Sequence, residues 1–281
     1  MVARIIDGKC IAKGLCDDLA KNIANLTVPP KLAVIVVGDN EASKVYVRNK
    51  QRAAQSIGMI CDIYSFTTTA SENEILDQIN KLNRDDSVNG IIVQLPLPEN
   101  INERVILEAV SLDKDVDAFK QIMSGALWHN DASWASATPQ GVLFLLKTIE
   151  SDLQGKHAVI IGRSNIVGKP MAALLLNEDC TVTITHSKTI GLKDIVKTAD
   201  IIVAACGCPK MIKKDWIKCG AIILDVGISK VDGKLSGDVD FDDVIDVASA
   251  ITPVPGGVGP MTVYMLLENT YKAYIKQKNM L

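Results

Sequence analysis

Tyr46 and Lys50 stand four residues apart in a stretch, residues 41–57, that reads as a helix, so their side chains share one face. A phenol beside an amine is a proton-transfer pair: the lysine can hydrogen-bond the phenol oxygen, and either group can exchange a proton with a bound molecule. The same spacing suits a solvated lysine beside a half-buried tyrosine, and the neighbouring Lys44, Arg48 and Arg52 suit that alternative. A second stretch with chemical potential is Gly162-Arg163-Ser164-Asn165-Ile166-Val167-Gly168-Lys169-Pro170. It follows an apolar, β-branched run at 157–161 and precedes a helix-forming run at 171–176. A strand, a Gly-bearing turn and a helix start together make a phosphate cradle, because backbone N–H groups and the positive end of the helix dipole converge there. Ser164 takes the place of the second glycine in the usual G-x-G-x-x-G spacing, so an ordinary strand-to-helix turn is the alternative.

The elements that must position these groups alternate. Apolar runs at 31–38, 60–66 and 90–94 predict strands. Helices are predicted at 41–57, after Ser71 with Glu74 completing a capping box, and at 101–110. Such alternation implies an α/β fold with a parallel, doubly wound sheet, whose ligands lie at the carboxyl ends of the strands. Gln94 falls at such an end, followed by Leu95-Pro96-Leu97-Pro98, which cannot continue a ladder. Lys114-Asp115-Val116-Asp117 then sets two carboxylates two residues apart. Between 119 and 137 the periodicity fails, and Gly125, Trp128, Asn130 and Trp134 mark a connecting segment and a domain boundary.

Beyond it, Thr138-Pro139 opens a helix expected to reach Glu150 with Thr138 as N-cap, and strands are predicted at 157–161, 181–185, 200–205 and 221–228. After the second of these come His186-Ser187-Lys188-Thr189, roughly 20 residues past Gly168, where an NAD-binding fold places a carboxylate for the ribose hydroxyls. None stands there. Ser187 and Lys188, with Arg163 in the cradle, suit an added 2′-phosphate and predict NADP rather than NAD. A Pro/Gly loop at 252–262 leads into a last helix running to about Lys278; it reads either as a linker or as backbone packed tightly against a flat ligand.

At 281 residues the chain is long enough for two domains, each with its own core. A net charge of -3 gives no general basic field for nucleic acid or an anionic membrane, so an anionic ligand must be held locally. Seven cysteines without a disulfide-like framework fit a reducing compartment, and His129, His157 and His186 are too scattered to suggest a metal site. Neither a signal peptide nor an apolar run of transmembrane length is visible, and the expectation is a cytoplasmic protein.

Seven segments in order resemble the methylenetetrahydrofolate dehydrogenase/methenyltetrahydrofolate cyclohydrolase family: Ser43 to Lys50, Gly90 to Pro98, Lys114 to Asp117, Thr138 to Gly141, Gly162 to Pro170, His186-Ser187, and Ile251 to Thr262. Two departures are Ala118, where the family usually has Gly, and Ser136-Ala137, where it usually has Pro-Cys. The resemblance implies a homodimer whose subunit has an amino-terminal folate domain (1–120 with 262–281), a connecting segment (121–137) and a Rossmann-type NADP domain (138–261) across a cleft. It implies NADP-dependent oxidation of 5,10-methylenetetrahydrofolate and hydrolysis of the methenyl product to 10-formyltetrahydrofolate. Lys50, Tyr46, Gln94 and Asp117 are then the catalytic residues. Substrate contacts are implied for Ser43, Tyr46, Pro96, Asp117, Pro255, Gly256 and Gly257, and cofactor contacts for Gly162, Arg163, Ser164, Val167, Gly168, Ser187, Ile228 and Thr262. A dehydrogenase without the hydrolytic step, or an NADP-binding sensor without catalysis, would share much of this pattern.

Overall fold

The computed structural model describes residues 2–278; Met1 and residues 279–281, joined to the folate domain by the sequence reading, lie outside the described residues. In chain order the first elements are β1 (Arg4–Ile5), α1 (Gly8–Ala24), β2 (Lys31–Val37), α2 (Glu41–Ser56), β3 (Ile60–Phe66), α3 (Glu72–Arg84), β4 (Gly90–Val93), α4 (Glu103–Ala109) and α5 (Gln121–Trp128). There follow α6 (Ala137–Lys147), β5 (His157–Ile161), α7 (Gly168–Asn177), β6 (Thr181–Thr185), α8 (Leu192–Val196), β7 (Ile201–Ala204) and β8 (Ile222–Asp225). Last come β9 (Ser229–Val231), β10 (Lys234–Ser236), α9 (Phe241–Val244), β11 (Ala250–Ile251) and α10 (Val258–Gln277).

These elements fall into two compact units. Among the described residues, one comprises 14–125, 132–134 and 263–278, and the other 2–13, 126–131 and 135–262. The first holds a parallel three-stranded sheet, β3-β2-β4. Its middle strand, β2, is a continuous apolar run buried from Leu32 to Val37, as a central parallel strand requires. Ala33, Ile35, Val37, Ile91 and Val93 pack against Ile75, Ile79 and Leu82 of α3 and Ile106 of α4. The helix starts are fixed by local chemistry. Asn40 accepts from the Ser43 N–H at 3.1 Å at the head of α2, and the Ser71–Glu74 capping box opens α3.

The second unit holds a parallel six-stranded sheet in the order β1-β11-β8-β7-β5-β6, with the antiparallel hairpin β9-β10 beside it. Its core joins Val159, Ile161, Ile202, Ala204 and Ile223 of the strands to Val196 and Val244 of α8 and α9. Carboxyl ends of adjacent strands are level: Ile161 pairs with Thr185 and with Ala204, and Ala204 pairs with Asp225.

Four expectations change. Residues 2–13 belong with the six-stranded sheet, because Arg4 and Ile5 pair in parallel with Ala250 and Ile251. The segment 121–137 is not irregular throughout, since it contains α5, whose sequence Gln-Ile-Met-Ser-Gly-Ala-Leu-Trp carries no charge to mark its helical period. The helix expected to have Thr138 as its N-cap starts two residues earlier, with Ser136 at the N-cap and Ala137 as its first residue, and ends at Lys147. Thr138 instead bonds its hydroxyl to that of Thr262, 3.0 Å away. Strand 221–228 stops at Asp225, and the Asp232-Gly233 turn of the β9-β10 hairpin, both residues at positive φ, follows.

Candidate active site

Lys50 lies on the buried face of α2, with only 9% of its surface exposed. Its Nζ donates to Gln94 Oε1 at 3.1 Å. Gln94 follows β4, and its own Nε2 donates to the Leu95 carbonyl at 2.8 Å, which turns the amide so that the oxygen faces the lysine. Burial lowers the Lys50 pKa; the Asp117 carboxylate acts against that shift, and Cys61 does so less. Asp117 responds in kind, pushed up by burial and held down by Lys50. Cys61 on β3 is pushed up to about 11, mainly by burial. Lys50 is therefore a desolvated amine whose attraction to a carboxylate keeps the ammonium form within reach.

Beside this pair lies a cavity of about 340 Å³ lined by Asn40, Ser43, Tyr46, Gln94, Leu95 and Pro96. Tyr46 is 40% exposed, one turn before Lys50, and burial of its ring raises the phenol pKa. Ser43 is buried one turn earlier still. The predicted Tyr46, Lys50, Gln94, Ser43 and Pro96 are thus gathered by α2 and the turn after β4, and Asp117 reaches them electrostatically. Its chain segment is tied down: Asp115 accepts from the Lys120 N–H at 2.9 Å, and the Trp134 indole donates to the Asp115 carbonyl at 2.8 Å. Burial raises Asp115 to about 6, and Asp117 contributes to that rise. Ala118, next in the chain, is buried with φ of 56°, in the left-handed region that glycine adopts freely. The physical reason for the family's glycine at this place is that backbone angle.

In the other unit, β5, the 162–167 turn and α7 form the predicted cradle. A Cβ on Gly162, whose φ is +136°, would overlap the Ala205 carbonyl oxygen, and one on Gly168 would overlap the backbone of Gly162. Arg163 and Ser164 are exposed at the mouth of this turn. The Ser164 hydroxyl accepts from the Val167 and Gly168 N–H groups at 3.1 and 3.3 Å. The serine in the second-glycine position therefore closes the helix start from within, which the spacing alone did not disclose. Ser187 is exposed two residues past β6, and Ile228 is 42% exposed beyond β8. No acidic residue lies in 186–189, so the turn presents Ser187 and Lys188 where a carboxylate would oppose a phosphate. A glycine cradle a Cβ would fill, next to exposed hydroxyl and cationic groups, fits a dinucleotide carrying a 2′-phosphate.

Pro255, Gly256 and Gly257, grouped by sequence with the substrate residues, belong to this unit, as does Thr262. Their loop is built on close backbone contact. Gly257 donates its N–H to the Pro253 carbonyl at 2.8 Å, and the Gly256 carbonyl accepts from Lys9 N–H at 2.8 Å. Sequence reasoning missed Asn40, Leu95 and Cys61 at the Lys50 site. The strand-end position of residues 94–95 and the Asn-x-x-Ser spacing before α2 were the available signals.

Among the described residues no group of His, Cys, Asp or Glu could hold a metal ion, and no helix is long and apolar enough to cross a membrane. Residues 6–117 match the family model for the catalytic domain of tetrahydrofolate dehydrogenase/cyclohydrolase, and residues 136–278 match its NAD(P)-binding domain. A bifunctional protein FolD from Listeria innocua is 49% identical over 276 residues, 97% of each chain. A bifunctional FolD methylenetetrahydrofolate dehydrogenase/cyclohydrolase from Campylobacter jejuni superposes with a TM-score of 0.96 at 46% identity, over 99% of this chain and 100% of that one. A Trypanosoma brucei methylenetetrahydrofolate dehydrogenase-cyclohydrolase, solved with NADP cofactor and inhibitor, gives 0.94 at 36% identity, over 98% of both.

Proposed function

The chain belongs to the tetrahydrofolate dehydrogenase/cyclohydrolase family, and on that premise we propose that it is a bifunctional enzyme. It oxidises 5,10-methylenetetrahydrofolate with NADP and hydrolyses the methenyl product to 10-formyltetrahydrofolate. The three-stranded unit carries the folate chemistry and the six-stranded unit the dinucleotide. The reading extends to a cytoplasmic homodimer whose product serves one-carbon transfer, including purine biosynthesis.

The observation that carries it is the desolvated Lys50 amine on Gln94 beside an open cavity. NADP, when bound, would supply the hydride acceptor; the cation then left on the folate is stabilised by two adjacent nitrogens, so the enzyme need remove no hydroxyl proton and positioning dominates that step. Pro96 and Ser43 at the cavity wall supply shape and a hydroxyl for that purpose, and Gly162 and Gly168 keep the main chain of the turn bare where the cofactor would approach, with Val167 at the N-cap of α7 between them. Hydrolysis differs. Water must attack the methenyl carbon and give up a proton, and the ring must open. Neutral Lys50 accepts that proton; one of its N–H bonds stays on Gln94 Oε1, so the lone pair is aimed rather than free to rotate. Asp117 stabilises the ammonium once formed, and the Tyr46 phenol, with its raised pKa, remains a donor. The positive charge of the methenyl substrate opposes the ammonium and favours the base form.

Purified protein with tetrahydrofolate, formaldehyde and NADP should form the methenyl compound and then consume it, seen as a rise and decay in near-ultraviolet absorbance. A rise without enzymatic decay would leave a dehydrogenase alone, and NADP binding without any rise would leave a sensor.

A further inference from the structure

Asp225 and Asp238 are the two most deeply buried carboxylates of the six-stranded unit, 3% and 0% exposed, and neither belongs to the sites described above. Asp225 ends β8. Its two oxygens accept from the Asp238 and Val239 N–H groups, each at 3.0 Å, and fasten that segment to the strand end. Asp238 then reaches across to the turn after β7. Its Oδ2 accepts from the Cys206 N–H at 2.7 Å and the Gly207 N–H at 3.0 Å. Space is cleared for both groups: a Cβ on Gly237 would overlap the Asp225 carboxylate, and one on Gly227 the Asp238 carboxylate. Among the described residues Oδ1 of Asp238 is buried with no hydrogen bond of ordinary geometry, and the Cys206 thiol, pushed up to about 12 by burial and then by the Asp238 charge, faces the same carboxylate. Leaving such an atom unpaired costs free energy, so the other oxygen's two bonds must matter to the fold or to its function.

The turn that Asp238 holds is not remote from the cradle. The Ala205 carbonyl, one residue before Cys206, is the group that packs on the Cα of Gly162. Gly207 takes a φ of +69° and is exposed at the carboxyl edge of the sheet. That edge is where a parallel sheet meets its ligand. We propose that Asp238 is a positioning residue for the dinucleotide: by holding two backbone N–H groups of the 205–207 turn it sets the height of that turn against Gly162 and so the shape of the cradle. The inference rests on the reading of this unit as the NADP site.

The test uses Asp238→Ala, which removes both acceptors, and Asp238→Asn, whose single amide oxygen can still accept from both N–H groups. Titration of NADPH by its fluorescence should show affinity about tenfold weaker in Asp238→Ala and about threefold weaker in Asp238→Asn, because a neutral acceptor bonds more weakly than an ionised one. Amide hydrogen exchange at Cys206 and Gly207 should quicken in the same order. Hydrolysis of the methenyl substrate, which uses no NADP, should stay within about twofold, a split that general loss of structure would not produce. If Asp238→Ala does not fold, Asp238→Asn decides alone. Unchanged NADPH affinity in the variants that fold, or both activities of Asp238→Asn falling in parallel, overturns the inference. An unmutated protein that fails to bind NADPH overturns the underlying assignment of the unit, and the inference with it.

Discussion

Around Lys50 the working atoms are side chains: an amine, an amide, a carboxylate and a phenol, carried by α2, the turn after β4 and the segment 114–118 and tuned by burial. At the carboxyl edge of the six-stranded sheet the working surface is backbone, exposed by glycines whose missing Cβ atoms make room. The first kind of site depends on desolvation and charge, so an isosteric change can abolish its chemistry while leaving the fold. In the second, shape is set by main-chain packing, and a single methyl group disturbs fold and ligand together.

Substitutions should expose that difference. The largest effect is expected for Lys50→Met, which preserves volume and removes the base: cyclohydrolase turnover should fall ~100- to 10,000-fold, the range common for general acid–base groups, with the dehydrogenase reduced much less. Stopped-flow absorbance should then show the methenyl compound accumulating. Gly168→Ala should act on everything in its unit. Its methyl group meets fixed backbone at Gly162 and Arg163, and overpacking of this kind costs about 1–3 kcal/mol. Calorimetry should show a lower melting temperature and titration a weaker NADP affinity. Ser187→Asp should shift the ratio of NADP to NAD efficiency by about tenfold toward NAD, on the order of 1.4 kcal/mol, since a carboxylate repels the 2′-phosphate. Equal efficiency with both cofactors in the unmutated enzyme would contradict that account of Ser187. The smallest effect is expected for Ala118→Gly. Relief of the left-handed strain, about 1–2 kcal/mol, is offset by glycine's extra freedom in the unfolded chain, about 0.5–1 kcal/mol. Denaturant titration should find a gain between about 0 and about 1.5 kcal/mol.

Legibility in the sequence followed the same division. The cradle was visible because close backbone approach demands glycine, and glycine at a strand end is a local signal: Gly162 and Gly168 lie where the spacing put them. The strands β2 and β5 were read closely, since buried parallel strands are continuous apolar runs, and β6 because Thr-Val-Thr-Ile-Thr is β-branched throughout. The Tyr46–Lys50 face was visible as a helical spacing, but its burial was not, because Lys44, Arg48 and Arg52 make α2 look solvated throughout. What hid Lys50 was tertiary: Gln94 arrives from 44 residues away. β1 was missed since two residues carry no periodicity and its partner lies at Ala250–Ile251. The Asp225–Asp238 clamp was equally silent, for Asp225 reads as one residue within the strand predicted at 221–228 until the fold ends that strand there and brings residue 238 beside it.

The central claim is that Lys50 works as a partly neutral base, and the pH dependence of the two steps tests it most directly. Burial places its pKa below the ordinary lysine value, and the neutral form that can take a proton is populated as pH rises through that lowered pKa. Single-turnover hydrolysis of the methenyl substrate, corrected for the uncatalysed rate, should therefore rise with pH along a limb below about 10.4, absent from the hydride step and lost in Lys50→Met. A limb that persists in Lys50→Met, or that appears equally in both steps of the unmutated enzyme, would contradict the assignment and leave Lys50 as a group that only positions the substrate.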